Sequence, residues 1–243
     1  MKVIGNQVAP RFEAPKEGER DLGAFAFSRR NEIQTDFDRE GVVLFRGFKK
    51  LDASQFAEFA RLFCEDLEFE YGDLENEETE AGVYRSTVYP ETLPIHLHNE
   101  AACSPTVPLM LFFHCEQPPR KGGATRIVDS RRLLGALTEE ERSRFEGMQA
   151  RYIRNHYPHL DSSWQAIYGT GDPREAERRC LESGMEFDWV ERDVLQTRFD
   201  RSIVSKHPGS GESVLTHQLF LFSPALLDRE THDALSARFD EDQ

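Results

Sequence analysis

Short apolar runs rich in β-branched and aromatic residues, set apart by turn signals, constrain this chain most. GVVLFRGF (41–48), VPLMLFF (107–113), TRIVDS (125–130) and SIVSKHPGSGESVLTHQLFLF (202–222) each have the length and composition of strands. The last carries PGSG at its centre and reads as a hairpin. Between them stand helix signals. Asp52 with Gln55 forms a capping box, Leu51 and Phe56 a hydrophobic staple, and Phe56, Phe59, Ala60, Leu62 and Phe63 follow at helical spacing. Thr138 with Glu141 opens a helix to about residue 148. Asp172-Pro173-Arg174-Glu175 starts another, which Gly184 closes, and Ser223-Pro224 opens a last one. Strands precede, separate and follow these helices without a βαβ rhythm. The expectation is therefore a mainly β fold, an antiparallel sheet or barrel with flanking helices outside.

The chain has 243 residues, enough to bury a substantial core, and 18 are Phe, which argues against disorder. A net charge of -14 disfavours nucleic acid as a partner. No apolar run reaches the length of a membrane span, and MKVIGNQVAPRFEAP lacks the apolar core of a signal peptide. A cytoplasmic protein without membrane contact is expected. Cys64, Cys103, Cys115 and Cys180 form no CxxC pair, so buried thiols are expected rather than a zinc ribbon or disulfide scaffold. EDLEFEYGDLENEETE (65–80) holds acids and no base, and reads as a solvated loop or a lure for a cationic substrate.

PIHLHNEAACSP (94–105) carries the chemistry. His96, His98 and Glu100 alternate, and on a strand alternating residues share a face. His-x-acid triplets also arise by chance. This chain has three, at His98–Glu100, His114–Glu116 and His159–Asp161. His159 follows a proline in a loop, and His114 ends an apolar run as a core histidine would. His98 is followed by Ala101, Ala102, Cys103 and Ser104, whose small side chains leave room for a ligand. One imidazole and one carboxylate supply two corners of a 2-His-1-carboxylate Fe(II) face. A satisfied polar cluster is the competing reading. A zinc hydrolase is disfavoured because HExxH is absent.

GVVLFRGF, STVYPETLPIHLHNEAACSPTVPLMLFFHCEQPP, GGATRIVDSRRLLGAL, RYIRNHY, WQAIYGTGDPREAERRCLESGMEFDWV and HPGSGESVLTHQ, in that order, resemble the TauD/TfdA family of Fe(II)/2-oxoglutarate dioxygenases, in its branch with an HNE motif. The resemblance implies a double-stranded β-helix, or jelly roll, over one domain spanning 1–243, with Fe(II) and 2-oxoglutarate as cofactors. It implies that His98 and Glu100 ligate iron, with Asn99 between them, and that Thr125 of GGAT donates its hydroxyl to the 2-oxoglutarate carboxylate. Asn99, His217 and Gln218 are implied at the substrate pocket. Glu100 favours hydroxylation or a related oxidation over halogenation, because related halogenases lack that carboxylate.

The implied reaction uses O2 to oxidise an unactivated C–H bond of a small molecule, by analogy an amino acid or derivative in a biosynthetic pathway. The family's third ligand, a downstream histidine, and the arginine beyond it are not in these residues, which end at ARFDEDQ. A portion of a longer enzyme, its jelly roll incomplete at the C-terminus, is expected. A shortened, inactive binding or scaffold relative is the alternative. His217 is the candidate to take over the missing ligand.

Overall fold

The computed structural model describes residues 11–15, 18, 20–65, 67, 78–80, 82–85, 95–123, 125–158, 162–219, 221, 223 and 226–237. Most of the acidic 65–80 stretch and the His159–Asp161 triplet lie outside the described residues.

The first layer is built on phenylalanine. Strand β1 (Arg11–Glu13) pairs in parallel with β2 (Leu44–Arg46), the centre of GVVLFRGF. Helices α1 (Leu22–Ser28), α2 (Arg30–Glu40) and α3 (Ala53–Arg61) accompany this pair. Phe12, Leu22, Ala26, Ile33, Leu51 and Phe59 form the buried cluster. Phe59 meets Phe45, Phe63 and Phe112 edge-on, at ring-centroid distances of 5.3, 5.6 and 6.3 Å. Edge-to-face pairs of this kind add to what burial alone contributes. The Asp52–Gln55 capping box forms as its residue types require, and Leu51 and Phe56 both join the cluster.

A short antiparallel pair, β3 (Glu78–Glu80) and β4 (Val83–Tyr84), precedes the HNE segment. Residues 107–113 have no ladder partner among the described residues, and the chain bends at Leu109, which corrects the expected strand. Phe112 points into the phenylalanine cluster, whereas Leu109, Leu111 and Phe113 are 70, 45 and 76% exposed. The period-2 pattern is present, but only one face is covered. His114 packs its ring 5.3 Å from Phe56. TRIVDS is likewise no strand. It ends at Asp129, whose carboxylate caps α4 (Ser130–Gly135). Arg131 ties this point to two others, donating to Asp129 (2.9 Å), Glu212 (3.1 Å) and the Arg39 carbonyl (3.0 Å).

Beyond α5 (Glu139–Phe145), with its Thr138–Glu141 capping box, comes the largest sheet. Strands β5 (Gln149–Asn155), β6 (Glu186–Glu191) and β7 (Val194–Ser202) lie antiparallel in the order β5-β7-β6. Helices α6 (Trp164–Tyr168) and α7 (Pro173–Glu182) pack against it through Trp164, Tyr168, Ala176 and Cys180 around Leu195. The Asp172 cap and Pro173 start α7, and Gly184 at φ +73° follows its end.

The hairpin is β8 (Val204–Lys206) with β9 (Ser213–Leu215), shorter than 202–222. At its turn His207 Nδ1 accepts the N–H groups of Gly209 and Ser210, both at 3.2 Å. Helix α8 (Arg229–Ser236) begins later than Ser223, after Asp228 accepts from Thr231.

Helical residues outnumber strand residues, and the four sheets have two, two, three and two strands. The expectation of a mainly β fold is corrected to this extent for the described residues, whose sheets do not close into a barrel. Two of the expected strands have no ladder, and α1 and α2, opened by the Asp21 cap and closed at Gly41, add helix that was not expected.

Candidate active site

Residues 95–99 belong to no helix or ladder, and the chain turns at 100–103. The turn hinges on Ala101, at φ +52° the one non-glycine residue with positive φ among those described. For an L-residue this conformation costs roughly 1–2 kcal/mol and persists only where surrounding contacts impose it. Ser104 N–H closes the turn on the Ala101 carbonyl at 3.0 Å. The His98–Glu100 strand face is thus corrected to an irregular segment followed by a left-handed turn.

The two side chains nevertheless meet. His98 Nε2 lies 3.4 Å from Glu100 Oε2, with the side chains 21 and 27% exposed. His98 Nδ1 lies 2.7 Å from the His96 carbonyl oxygen. A carbonyl only accepts, so Nδ1 carries the hydrogen, and in the neutral ring Nε2 presents its lone pair toward the carboxylate. Two lone-pair donors facing one another need a proton or a cation between them. Neighbouring ligand atoms on an octahedral ion sit about 3 Å apart, so this separation is close to what a divalent cation asks. The Nδ1–H bond to a carbonyl is the support that metal-ligating histidines commonly have. The donor set therefore fits Fe(II) with two of its three expected protein ligands. Among the described residues no group of three or more His, Cys, Asp or Glu gathers.

Three further expected residues surround this turn. Asn99 Oδ1 accepts the His217 N–H at 3.2 Å. Gln218, 2% exposed, accepts the Cys103 N–H through Oε1 at 3.1 Å, and its own N–H donates to the Tyr152 hydroxyl at 3.0 Å. Both side-chain oxygens are engaged by backbone. His217 is half-buried, and burial lowers its pKa, which favours the neutral ring.

Thr125 follows the Gly122–Gly123 turn. It is exposed, and no hydrogen bond joins it to His98 or Glu100 among the described residues. The turn before it does require glycine: Gly123 has φ +68°, and a Cβ there would come within 2.3 Å of Pro119 Cγ.

Two residues not expected from sequence complete the surroundings. Tyr152 on β5 stacks on Phe199 at 5.2 Å, and burial raises its hydroxyl pKa. Arg201 on β7 donates to the carbonyls of Ser104 and Pro105, the latter at 3.0 Å. Its partners are carbonyls 96–97 positions away, so no local motif announces them.

Comparison with known proteins adds three findings. The family model described as taurine catabolism dioxygenase TauD, TfdA family, matches residues 5–242. The chain is similar to dapdiamide synthesis protein DdaC of Enterobacter agglomerans, 30% identical over 235 residues covering 96% of this chain and 71% of that protein. It is also similar to a clavaminate synthase-like protein of Arabidopsis thaliana, 27% identical over 180 residues that cover 70% of this chain and 54% of that relative.

Proposed function

The chain belongs to the TauD/TfdA dioxygenase family, and from that premise we propose a non-haem Fe(II)- and 2-oxoglutarate-dependent oxygenase that hydroxylates or otherwise oxidises an unactivated C–H bond of a small molecule. The observation that carries this reading is the His98 Nε2–Glu100 Oε2 approach of 3.4 Å, with the ring's other nitrogen held by the His96 carbonyl.

Iron bound there, with 2-oxoglutarate and O2, supplies the oxidising chemistry. The protein's own residues do the rest. His98 offers a lone pair whose direction its Nδ1–H bond fixes. Glu100 contributes a negative charge that offsets part of the charge of a divalent cation. Ala101, Ala102, Cys103 and Ser104 keep the turn small. Thr125, on its loop, is assigned to the 2-oxoglutarate carboxylate. His217 is the candidate for substrate contact, uncharged because of its burial. The engaged oxygens of Asn99 and Gln218 shift these two from substrate contact to the frame of the pocket.

A single domain over 1–243 belongs to the same reading. So does a biosynthetic setting with an amino acid or derivative as substrate, which the similarity to a protein named for dapdiamide synthesis supports. A net charge of -14 is consistent with a small-molecule rather than a nucleic-acid partner, and no described helix is long and apolar enough to cross a membrane. Placement in the cytoplasm belongs to the proposal.

The second reading, an inactive binding or scaffold relative, is favoured by one observation: only two ligand groups gather among the described residues. One experiment separates the two. Anaerobic addition of Fe(II) and 2-oxoglutarate gives a visible charge-transfer band that His98→Ala abolishes if the chain is an oxygenase. Stoichiometric iron retained by these 243 residues after reconstitution rules out the scaffold.

A further inference from the structure

We infer that Gln218 and Asn99 are positioning residues: a reciprocal clasp that presents His98 and Glu100 to a divalent cation. The inference rests on the reading of those two residues as metal ligands.

The clasp joins two short segments that have no regular ladder between them. Asn99 gives its side-chain oxygen to the His217 N–H, and Gln218 gives its own to the Cys103 N–H, across 118 and 115 positions. Each segment thus supplies one side-chain acceptor and one backbone donor. The two rungs bracket the turn that follows Glu100, with one rung at Asn99 and the other at Cys103.

The 217–218 side is itself anchored, because the Gln218 N–H donates to the Tyr152 hydroxyl on β5. The far end of the turn is held from β7, where Arg201 donates to the Ser104 and Pro105 carbonyls. A ligand pair on a stable strand would take its geometry from ladder hydrogen bonds. Here Ala101 is left-handed and the ladder is absent, so the clasp replaces it. Gln218 is 2% exposed, which leaves its amide oxygen no water to fall back on.

Gln218→Met removes the acceptor at nearly constant volume, and Gln218→Glu retains a carbonyl-type acceptor. Co(II) is the probe, read by calorimetry and by its visible ligand-field spectrum, with the thermal midpoint followed in parallel. Wild type is expected to bind Co(II) in a His98-dependent way. Gln218→Met is expected to lose about tenfold or more in affinity, the scale on which supporting residues act on metal sites, and to change the spectrum. Gln218→Glu is expected to restore both.

Equal affinity and an unchanged spectrum in Gln218→Met overturn the clasp. So does a Gln218→Glu protein as impaired as Gln218→Met. Should Gln218→Met fail to fold, Asn99→Leu against Asn99→Asp tests the other rung with the same two outcomes. A wild-type isotherm that His98→Ala leaves unchanged overturns the metal reading itself, whatever the Gln218 variants do.

Discussion

His98 turns one ring nitrogen to the His96 carbonyl at 2.7 Å and the other to the Glu100 carboxylate at 3.4 Å, so a single imidazole is both held and aimed. Glu100→Gln keeps the shape and removes the charge. It is expected to weaken Fe(II) binding about tenfold or more under anaerobic titration, while the thermal midpoint stays close to wild type.

Ala101 offers a test of the turn. A β-branched residue tolerates φ near +52° far less well than alanine does, so Ala101→Val is expected to lower stability by about 1–2 kcal/mol in chemical denaturation. Ala101→Gly suits the conformation and is expected to unfold at a similar or higher denaturant concentration, because relief of strain offsets the greater freedom of the unfolded chain.

The protonation of His217 sets a pH dependence. Burial lowers its folded-state pKa below the ordinary 6.5 while the unfolded chain keeps that value. The unfolded state therefore binds more protons in the window between the two. The contribution of this group to stability is fully present above 6.5 and is lost as pH falls from there through the lower folded value. The urea midpoint of wild type is expected to drop on acidification from about pH 7.5 to about 5, and His217→Gln to flatten that slope. Equal slopes in the two proteins would place the acid sensitivity elsewhere.

The phenylalanine cluster is where the first layer is most vulnerable. Phe59 is 6% exposed and meets three other rings, so Phe59→Ala is expected to cost about 3–5 kcal/mol by urea unfolding. Loss of the Asp52 cap on the same helix is expected to cost about 1 kcal/mol, since it satisfies only helix-end N–H groups.

What sequence made legible here was local chemistry. Asp52, Thr138 and Asp172 announce helix starts because each N-cap needs only residues two or three positions away. The pairing of His98 with Glu100 was legible for the same reason, although the strand proposed to hold it is a turn. Strand status was not legible at 107–113 or 125–130, since a period-2 pattern reports two faces but says nothing about a ladder partner.

The central strand β7 carries no clear strand signal because its pattern is largely polar. Its place is secured by ladders to β5 and β6 and by the burial of Leu195, the β5 ladder joining residues far apart in the chain. Tyr152, Arg201 and the Gln218 bond to Cys103 were hidden for the same cause: each is a contact over a long stretch of chain.

The triple grip of Arg131 has a consequence for how this protein can vary. Phe112 is moored in the aromatic layer and Asp129 is pinned by Arg131, so the described residues of 115–128, with Glu116 also 3.6 Å from Lys50, run like a rope between two posts. Insertions or deletions along that rope would redraw what it brushes against while both moorings stay put. A lineage could in this way retailor the span that carries Thr125 and leave the rest of the architecture untouched.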